Sequence, residues 1–136
     1  MRVIVKDVNN SVGVDIIEIP RVAEAVTRWG ERFLNRIYTP LEVAFCRGRL
    51  PELAARFAAK EAVSKALGTG MRGVAWKEIE IIPDRKGKPH VRLHGQAKRR
   101  ADELGLTHFA ISLSHTREYA IAFVTATGEG DAGGDS

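Results

Sequence analysis

One segment constrains the fold more than any other. Residues Leu53 to Leu67 read Leu-Ala-Ala-Arg-Phe-Ala-Ala-Lys-Glu-Ala-Val-Ser-Lys-Ala-Leu. At about 100° per residue their apolar side chains run most of the way round a helix, the pattern of a central, largely buried one. The helix is predicted from about Pro51 to Leu67, with Gly68 as its stop. Its many alanines allow close packing. Glu61 projects between Phe57 and Ala54, and Lys65 lies one turn further on. A carboxylate in such a setting is costly without a partner, so Glu61 needs a lysine, an arginine or a metal. A plain i,i+4 pair with Lys65 on a solvated face is the simplest alternative. Against it stand the small residues, the Ser64 hydroxyl on a neighbouring face, and the Gly68-Thr69-Gly70 turn, whose backbone allows close approach to a ligand.

Around that helix the elements are mixed. Val12 to Ile19 reads as a strand. Pro20 opens a helical pattern through about Trp29, and the basic helix is taken as Arg21 to Phe33. Thr39-Pro40-Leu41-Glu42 has the form of a capping box. Trp76 to Ile82 alternates as a strand does, Asp84 to Pro89 is a turn, and Val91 to Leu93 continues as a short strand. Gly95 to Leu104 is a basic helix. His108 to Ser114 and Tyr119 to Thr125 form a hairpin around Thr116-Arg117-Glu118. Helices fall early and strands late, with no internal repeat, so the fold class is α+β. The last residues are Gly- and Asp-rich without a large apolar side chain. They are expected to form a disordered tail over 127–136, beyond a domain over 1–126, and cutting after Thr125 is expected to leave activity intact.

A chain of 136 residues fits one domain. Its 44% hydrophobic and 28% charged residues are ordinary for a folded soluble protein. An excess of 21 Lys+Arg over 17 Asp+Glu suits an acidic partner, a polyphosphate ligand or a nucleic acid. One cysteine, Cys46, excludes an internal disulfide and fits a reducing compartment. It has no local partner motif for a nucleophile. Met1 to Asp7 lacks the pattern of a signal peptide, and no stretch has the apolar length to cross a bilayer. The expected location is the cytoplasm.

Two further pieces carry chemistry. Asp15, in Gly13-Val14-Asp15, is a carboxylate inside an apolar strand pattern. Taken alone it is as well read as a strand-edge residue satisfied by backbone N–H groups. Paired with Glu61 it makes a hard-oxygen site, since magnesium takes one or two carboxylates and completes its shell with water and phosphate oxygens. Ser112-Leu113-Ser114-His115-Thr116 closes a strand; His115 alone is more often structural than functional.

Together, Gly13-Val14-Asp15, Arg56 to Gly70, Gly87-Lys88-Pro89 and Ser112 to Thr116 resemble the holo-acyl-carrier-protein synthases, of the 4'-phosphopantetheinyl transferase superfamily. The resemblance runs in order from about Val12 to Phe123, and the block on the long helix is its most specific part. It implies an antiparallel sheet packed with a long central helix, as a single half-length unit. The implied reaction moves 4'-phosphopantetheine from coenzyme A to a serine of an apo-acyl carrier protein, leaving adenosine 3',5'-bisphosphate, with Mg2+. Asp15 and Glu61 would ligate the metal, and Lys65 would hold the pyrophosphate. Ser64, Gly68 and Gly70 would line the phosphate path. Arg56 and His115 would meet the nucleotide end, with Thr116 close by. Arg21, Arg28 and Arg32 would dock an acidic carrier helix, or else form a solvated basic face. The half-length chain resembles the trimeric type, with the site shared between neighbouring subunits.

Two other classes compete. A small nucleic-acid-binding module would use Lys98-Arg99-Arg100, but no aromatic stacking pattern accompanies these residues, and Asp15 and Glu61 stay unexplained. A noncatalytic trimeric scaffold explains the fold and not the clustered charges. The expected partners are therefore coenzyme A and acyl carrier protein, with no nucleic acid and no membrane.

Overall fold

The computed structural model describes residues 8–129. In chain order the elements are β1 (Val8–Glu18), α1 (Ile19–Trp29), α2 (Glu31–Ile37), α3 (Pro40–Cys46), α4 (Leu50–Ala66), β2 (Ile79–Pro83), β3 (Pro89–Leu93), α5 (Gly95–Leu104), β4 (His108–His115) and β5 (Tyr119–Glu129). Strands β1, β5 and β4 form an antiparallel sheet in that order, and β2 pairs with β3. The fold is α+β, built on the long helix.

α4 lies against the three-stranded sheet because both surfaces are made of small side chains. The helix buries Ala54, Ala55, Ala58, Ala59, Ala62 and Ala66. The sheet answers with Ala120, Ala122, Val124 and Ala126 on the inward face of β5. On β1 the contact is tighter still. A Cβ added to Gly13 would sit 1.9 Å from the Ala62 carbonyl oxygen, so only glycine lets β1 lie this close to the helix. Strand alternation then turns Asp15, paired with Ala122, toward the helix. It also turns Val12, Val14 and Ile16 outward.

Three expectations need correction. The basic helix expected over Arg21 to Phe33 is two helices, because Gly30 takes φ 54°, ψ −130° and ends α1. Arg32 therefore stands on α2. Trp76–Glu78 is a turn of 3-10 helix, with its Ala75 N–H bonded to Glu78, so the strand begins only at Ile79. Lastly, β5 continues to Glu129, and Thr127 to Glu129 belong to the sheet. They pair with residues 8–10 of β1, and Gly128, without a side chain, lets the Gly105 carbonyl pack directly on it. Residues 130–136 of the expected tail lie outside the described residues. Cutting after Thr125 therefore removes strand, including the Thr127 carbonyl that accepts from Thr107 N–H at 2.8 Å. The cut is now expected to lower the melting temperature by several degrees, read by calorimetry, and an unchanged melting curve would show that this end of the sheet adds nothing.

Candidate active site

The site begins at the contact between β1 and α4. Residues Phe57, Glu61 and Lys65 follow at i, i+4 and i+8 and share one face of α4. Asp15 arrives beside them because Gly13 lets its strand approach. Lys65 Nζ donates to Asp15 Oδ1 at 3.1 Å and to the Val14 carbonyl at 3.0 Å. The simple Glu61–Lys65 pair is thus replaced by a link between strand and helix, and Glu61 keeps its carboxylate for the cleft. Asp15, Glu61, Lys65, Arg21, Phe33 and Phe57 line that cleft, of about 470 Å³. Burial holds the Glu61 carboxyl above its usual range, the Asp15 charge adds to this, and Lys65 partly offsets it. A cation between the two carboxylates would relieve the cost of ionising Glu61. Magnesium would fit this hard-oxygen donor set, since it asks for few protein carboxylates. The described residues contain no group of three or more His, Cys, Asp or Glu that would hold a metal by themselves.

A second cleft, of about 350 Å³, lies elsewhere on the chain. It is lined by Arg56, Phe45, Lys88, Ser112, Ser114 and His115, with Gly87 and Pro89 at its edge. Arg56 is only 2% exposed. Its guanidinium bonds Glu52 at 3.0 Å and stacks over Phe45 at 4.3 Å. Its Nε has no partner, which is costly for a buried donor. Arg56 and Phe57 are neighbours in sequence and leave the helix 100° apart, so α4 serves both clefts. The residues predicted to form one site are therefore divided between two surfaces of the chain.

The remaining predicted residues are placed differently. Ser64 is buried and donates to the Glu61 carbonyl at 2.6 Å, and it lines neither cleft. Gly68, at φ 75°, lines a third hollow with Asn10 and Arg100 on the far side of Lys65. Gly70, at φ 58°, opens the short turn Gly70–Arg72. Thr116 stands in the exposed hairpin turn, where its hydroxyl accepts from the N–H groups of Glu118 and Tyr119. Arg21 and Arg28 are exposed on α1 and Arg32 on α2. Trp29 draws the last two together, with Arg28 at 5.2 Å and Arg32 at 6.0 Å from its ring. Lys98 pairs with Asp102 at 2.6 Å, and Arg100 donates to the Leu67 carbonyl at 3.0 Å, so the basic run of α5 is partly spent within the chain. Cys46 is buried and burial pushes its thiol up to about 11, which makes it inert. Among the described residues no helix is long and apolar enough to cross a membrane.

Sequence reasoning missed the buried Lys60–Glu42 pair and the aromatic wall of the first cleft. Lys60 bonds Glu42 at 2.8 Å with neither side chain exposed. Lys60 sits in the same apolar helix as Glu61 and is fully buried, so its charge needs a partner even more.

The chain resembles known proteins over most of its length. The 4'-phosphopantetheinyl transferase superfamily matches residues 11–124. A holo-[acyl-carrier-protein] synthase of Herpetosiphon aurantiacus is 53% identical over 123 residues, covering 85% of this chain and 97% of that protein. One of Dehalococcoides mccartyi is 55% identical, covering 84% and 95%. The crystal structure of the Helicobacter pylori holo-[acyl-carrier-protein] synthase in complex with coenzyme A superposes with a TM-score of 0.78 at 33% identity, covering 85% of this chain and 98% of that one. The chain belongs to the 4'-phosphopantetheinyl transferase superfamily, and within it to the holo-[acyl-carrier-protein] synthases.

Proposed function

We propose that the chain transfers 4'-phosphopantetheine from coenzyme A to the serine hydroxyl of an apo-acyl carrier protein, and that its first cleft is where the bond is made. The observation that carries this is the meeting of Asp15, Glu61 and Lys65 between β1 and α4. In the transfer the serine oxygen bonds the β-phosphorus of coenzyme A. The bond from that phosphorus to the bridging oxygen breaks, and adenosine 3',5'-bisphosphate leaves. Such a transfer is governed by positioning and charge. Asp15 and Glu61 would hold Mg2+, which when bound neutralises charge on the pyrophosphate. Lys65, already half-exposed at the cleft, turns its ammonium to the pyrophosphate and the leaving group. The serine proton must depart as its oxygen bonds phosphorus, and Glu61, which lines the cleft, is the side chain placed to accept it. Gly68, Gly70 and Ser64 shape the end of α4 along which the phosphates pass.

The nucleotide end belongs to the second cleft, where Arg56 and His115 await phosphate, with Thr116 holding the turn beside His115. Joining the two clefts calls for a second copy of the chain, and we assign the assembly as a homotrimer with each site at a subunit boundary. The outward face of β1 and β5 supports this. Val12, Val14, Ile16, Tyr119, Ile121 and Phe123 are 39% to 62% exposed there, side by side in the register that pairs Val14 with Phe123 and Ile16 with Ile121. A contiguous apolar face of this kind is a surface for association. The direct test mixes the protein with apo-carrier, coenzyme A and Mg2+ and weighs the carrier by mass spectrometry. A gain of one phosphopantetheine that disappears with chelator supports the reading, and no gain overturns it. Sedimentation of the same sample reads the trimer, and a monomer that transfers at full rate would refute the shared site.

Arg21, Arg28 and Arg32 are assigned to the acidic carrier. Rim charges act on encounter and are screened by salt. Arg28→Glu with Arg32→Glu, neither of which lines the transfer cleft, is expected to raise the KM for carrier about tenfold, with the KM for coenzyme A changed far less. Steady-state kinetics with each substrate varied separately checks this. Equal loss for both substrates would return these arginines to a solvated face.

A further inference from the structure

We infer that Lys60 is a positioning residue which, through the carbonyl of Trp76, holds the aromatic wall of the Asp15–Glu61 cleft. This rests on the assignment of that cleft to the transfer reaction.

Lys60 is fully buried. Its ammonium has three donors, and each has a partner. Glu42 Oε1 lies at 2.8 Å, the Ile79 carbonyl at 2.6 Å and the Trp76 carbonyl at 3.1 Å. The other Glu42 oxygen accepts from Ile81 N–H at 2.8 Å. The pair therefore fastens α4 to the turn Trp76–Glu78 and to β2. From Trp76 the connection continues through rings. Its indole stacks on Phe57 at 4.7 Å and 30°, and Phe57 stacks on Phe33 at 6.4 Å and 22°. Phe57 and Phe33 form the side of the cleft next to Glu61. Lys60 thus reaches the cleft by an indirect path, from a side of α4 about 100° round from Glu61.

Stability alone is a weak reason for such a pair. A buried ion pair is often matched or bettered by apolar residues of similar volume. Apolar residues in its place would leave the carbonyls of Trp76 and Ile79 without their donor. What the ammonium supplies and packing does not is a fixed position for the Trp76 backbone, and with it the stack that walls the cleft. Losing that position shifts the wall while leaving the phosphate-holding groups in place, so the effect falls on kcat more than on coenzyme A binding.

The test uses Lys60→Met with Glu42→Gln, which leaves no stranded carboxylate. It also uses Trp76→Leu, which keeps the ion pair and removes the ring. Leu106→Ala, a buried core position outside the Lys60 contacts, controls for destabilisation alone. In a Trp29→Phe background Trp76 is the one remaining tryptophan of the chain. Its emission is expected to shift red and its acrylamide quenching to rise in the Lys60/Glu42 variant and not in Leu106→Ala. In the Trp29-containing protein, kcat is expected to fall about tenfold to a hundredfold, the scale of a misplacement near 1 Å, with the KM for coenzyme A within about twofold. Trp76→Leu should lose a similar factor, and combining it with the Lys60/Glu42 change should add little further. Wild-type kcat in Trp76→Leu overturns the inference, as does a Lys60/Glu42 variant that behaves like Leu106→Ala. A kcat that falls while Trp76 emission stays unchanged also overturns it, since the path through the ring is then not used. Should Glu61→Gln keep full turnover, the assignment of the cleft fails, while the emission arm still decides whether Lys60 holds the wall.

Discussion

Glu61→Gln and Asp15→Asn are each expected to lower kcat for transfer by about 10²–10³-fold, the scale of losing one preorganised charge-stabilising group, while the protein stays folded. Both substitutions keep the side-chain shape and remove a charge from the cleft. The Asp15–Lys65 pair they touch is partly solvated, with Lys65 51% exposed, and pairs of that kind add little to stability. Glu61 goes further. Its folded-state affinity for protons is raised, so the native chain binds protons there more tightly than the unfolded chain does. The ionised carboxylate therefore costs stability above its folded pKa, and the cost vanishes below the unfolded value. Glu61→Gln should melt no lower than the wild type at neutral pH. The stability difference between the two should close as pH falls through the range of Glu61. Calorimetry at several pH values and single-turnover assays read both quantities. A variant that turns over normally in limiting Mg2+, or a Glu61→Gln protein that melts far lower, would show that the carboxylate is structural.

Gly13→Ala is expected to be the most damaging single methyl group on β1. The added Cβ would lie 1.9 Å from the Ala62 oxygen, 2.8 Å from the Ala62 carbonyl carbon and 3.1 Å from the Ala66 nitrogen. All three are backbone atoms of a helix packed on its other faces, so no side-chain rotation relieves the clash. The strand has to lift. Overpacking of this kind costs about 3 kcal/mol, or roughly 10 °C for a domain of this size. The lift also carries Asp15 away from Glu61 and Lys65, so kcat should fall by more than stability alone accounts for. Raising Mg2+ should recover part of the activity and none of the melting temperature. A Gly13→Ala enzyme with normal turnover would mean that the closeness of β1 and α4 is incidental.

The helix was legible because its composition leaves few alternatives. A run so rich in alanine has to be buried, and a glutamate inside it has to be used. The strands at Val12, His108 and Tyr119 followed from their residue pattern, and the pairing of the last two from the short turn at Thr116. What the sequence concealed was mostly relation rather than identity. Nothing local says that Lys65 turns to Asp15 fifty positions away, because that contact depends on how far β1 sinks onto α4. The split of Arg56 from Phe57 follows from helical geometry, yet the cleft each reaches depends on β4 and the Gly87 turn. A single glycine such as Gly30 is compatible with a continuous helix, and only its backbone angles show the break. The end of β5 was misjudged for a related reason. Glycine there reads as disorder, whereas the fold uses it for close approach to Gly105.

One helix supplying two clefts has a consequence for inheritance. In the proposed trimer each chain gives Glu61 to one site and Arg56 to another, so a defect is not confined to the chain that carries it. Two alleles, one lacking Glu61 and the other lacking Arg56, are expected to complement each other when expressed together, because some boundaries in the mixed assemblies would receive both intact halves. An allele lacking both residues is expected to do the reverse and silence sites in the wild-type chains beside it.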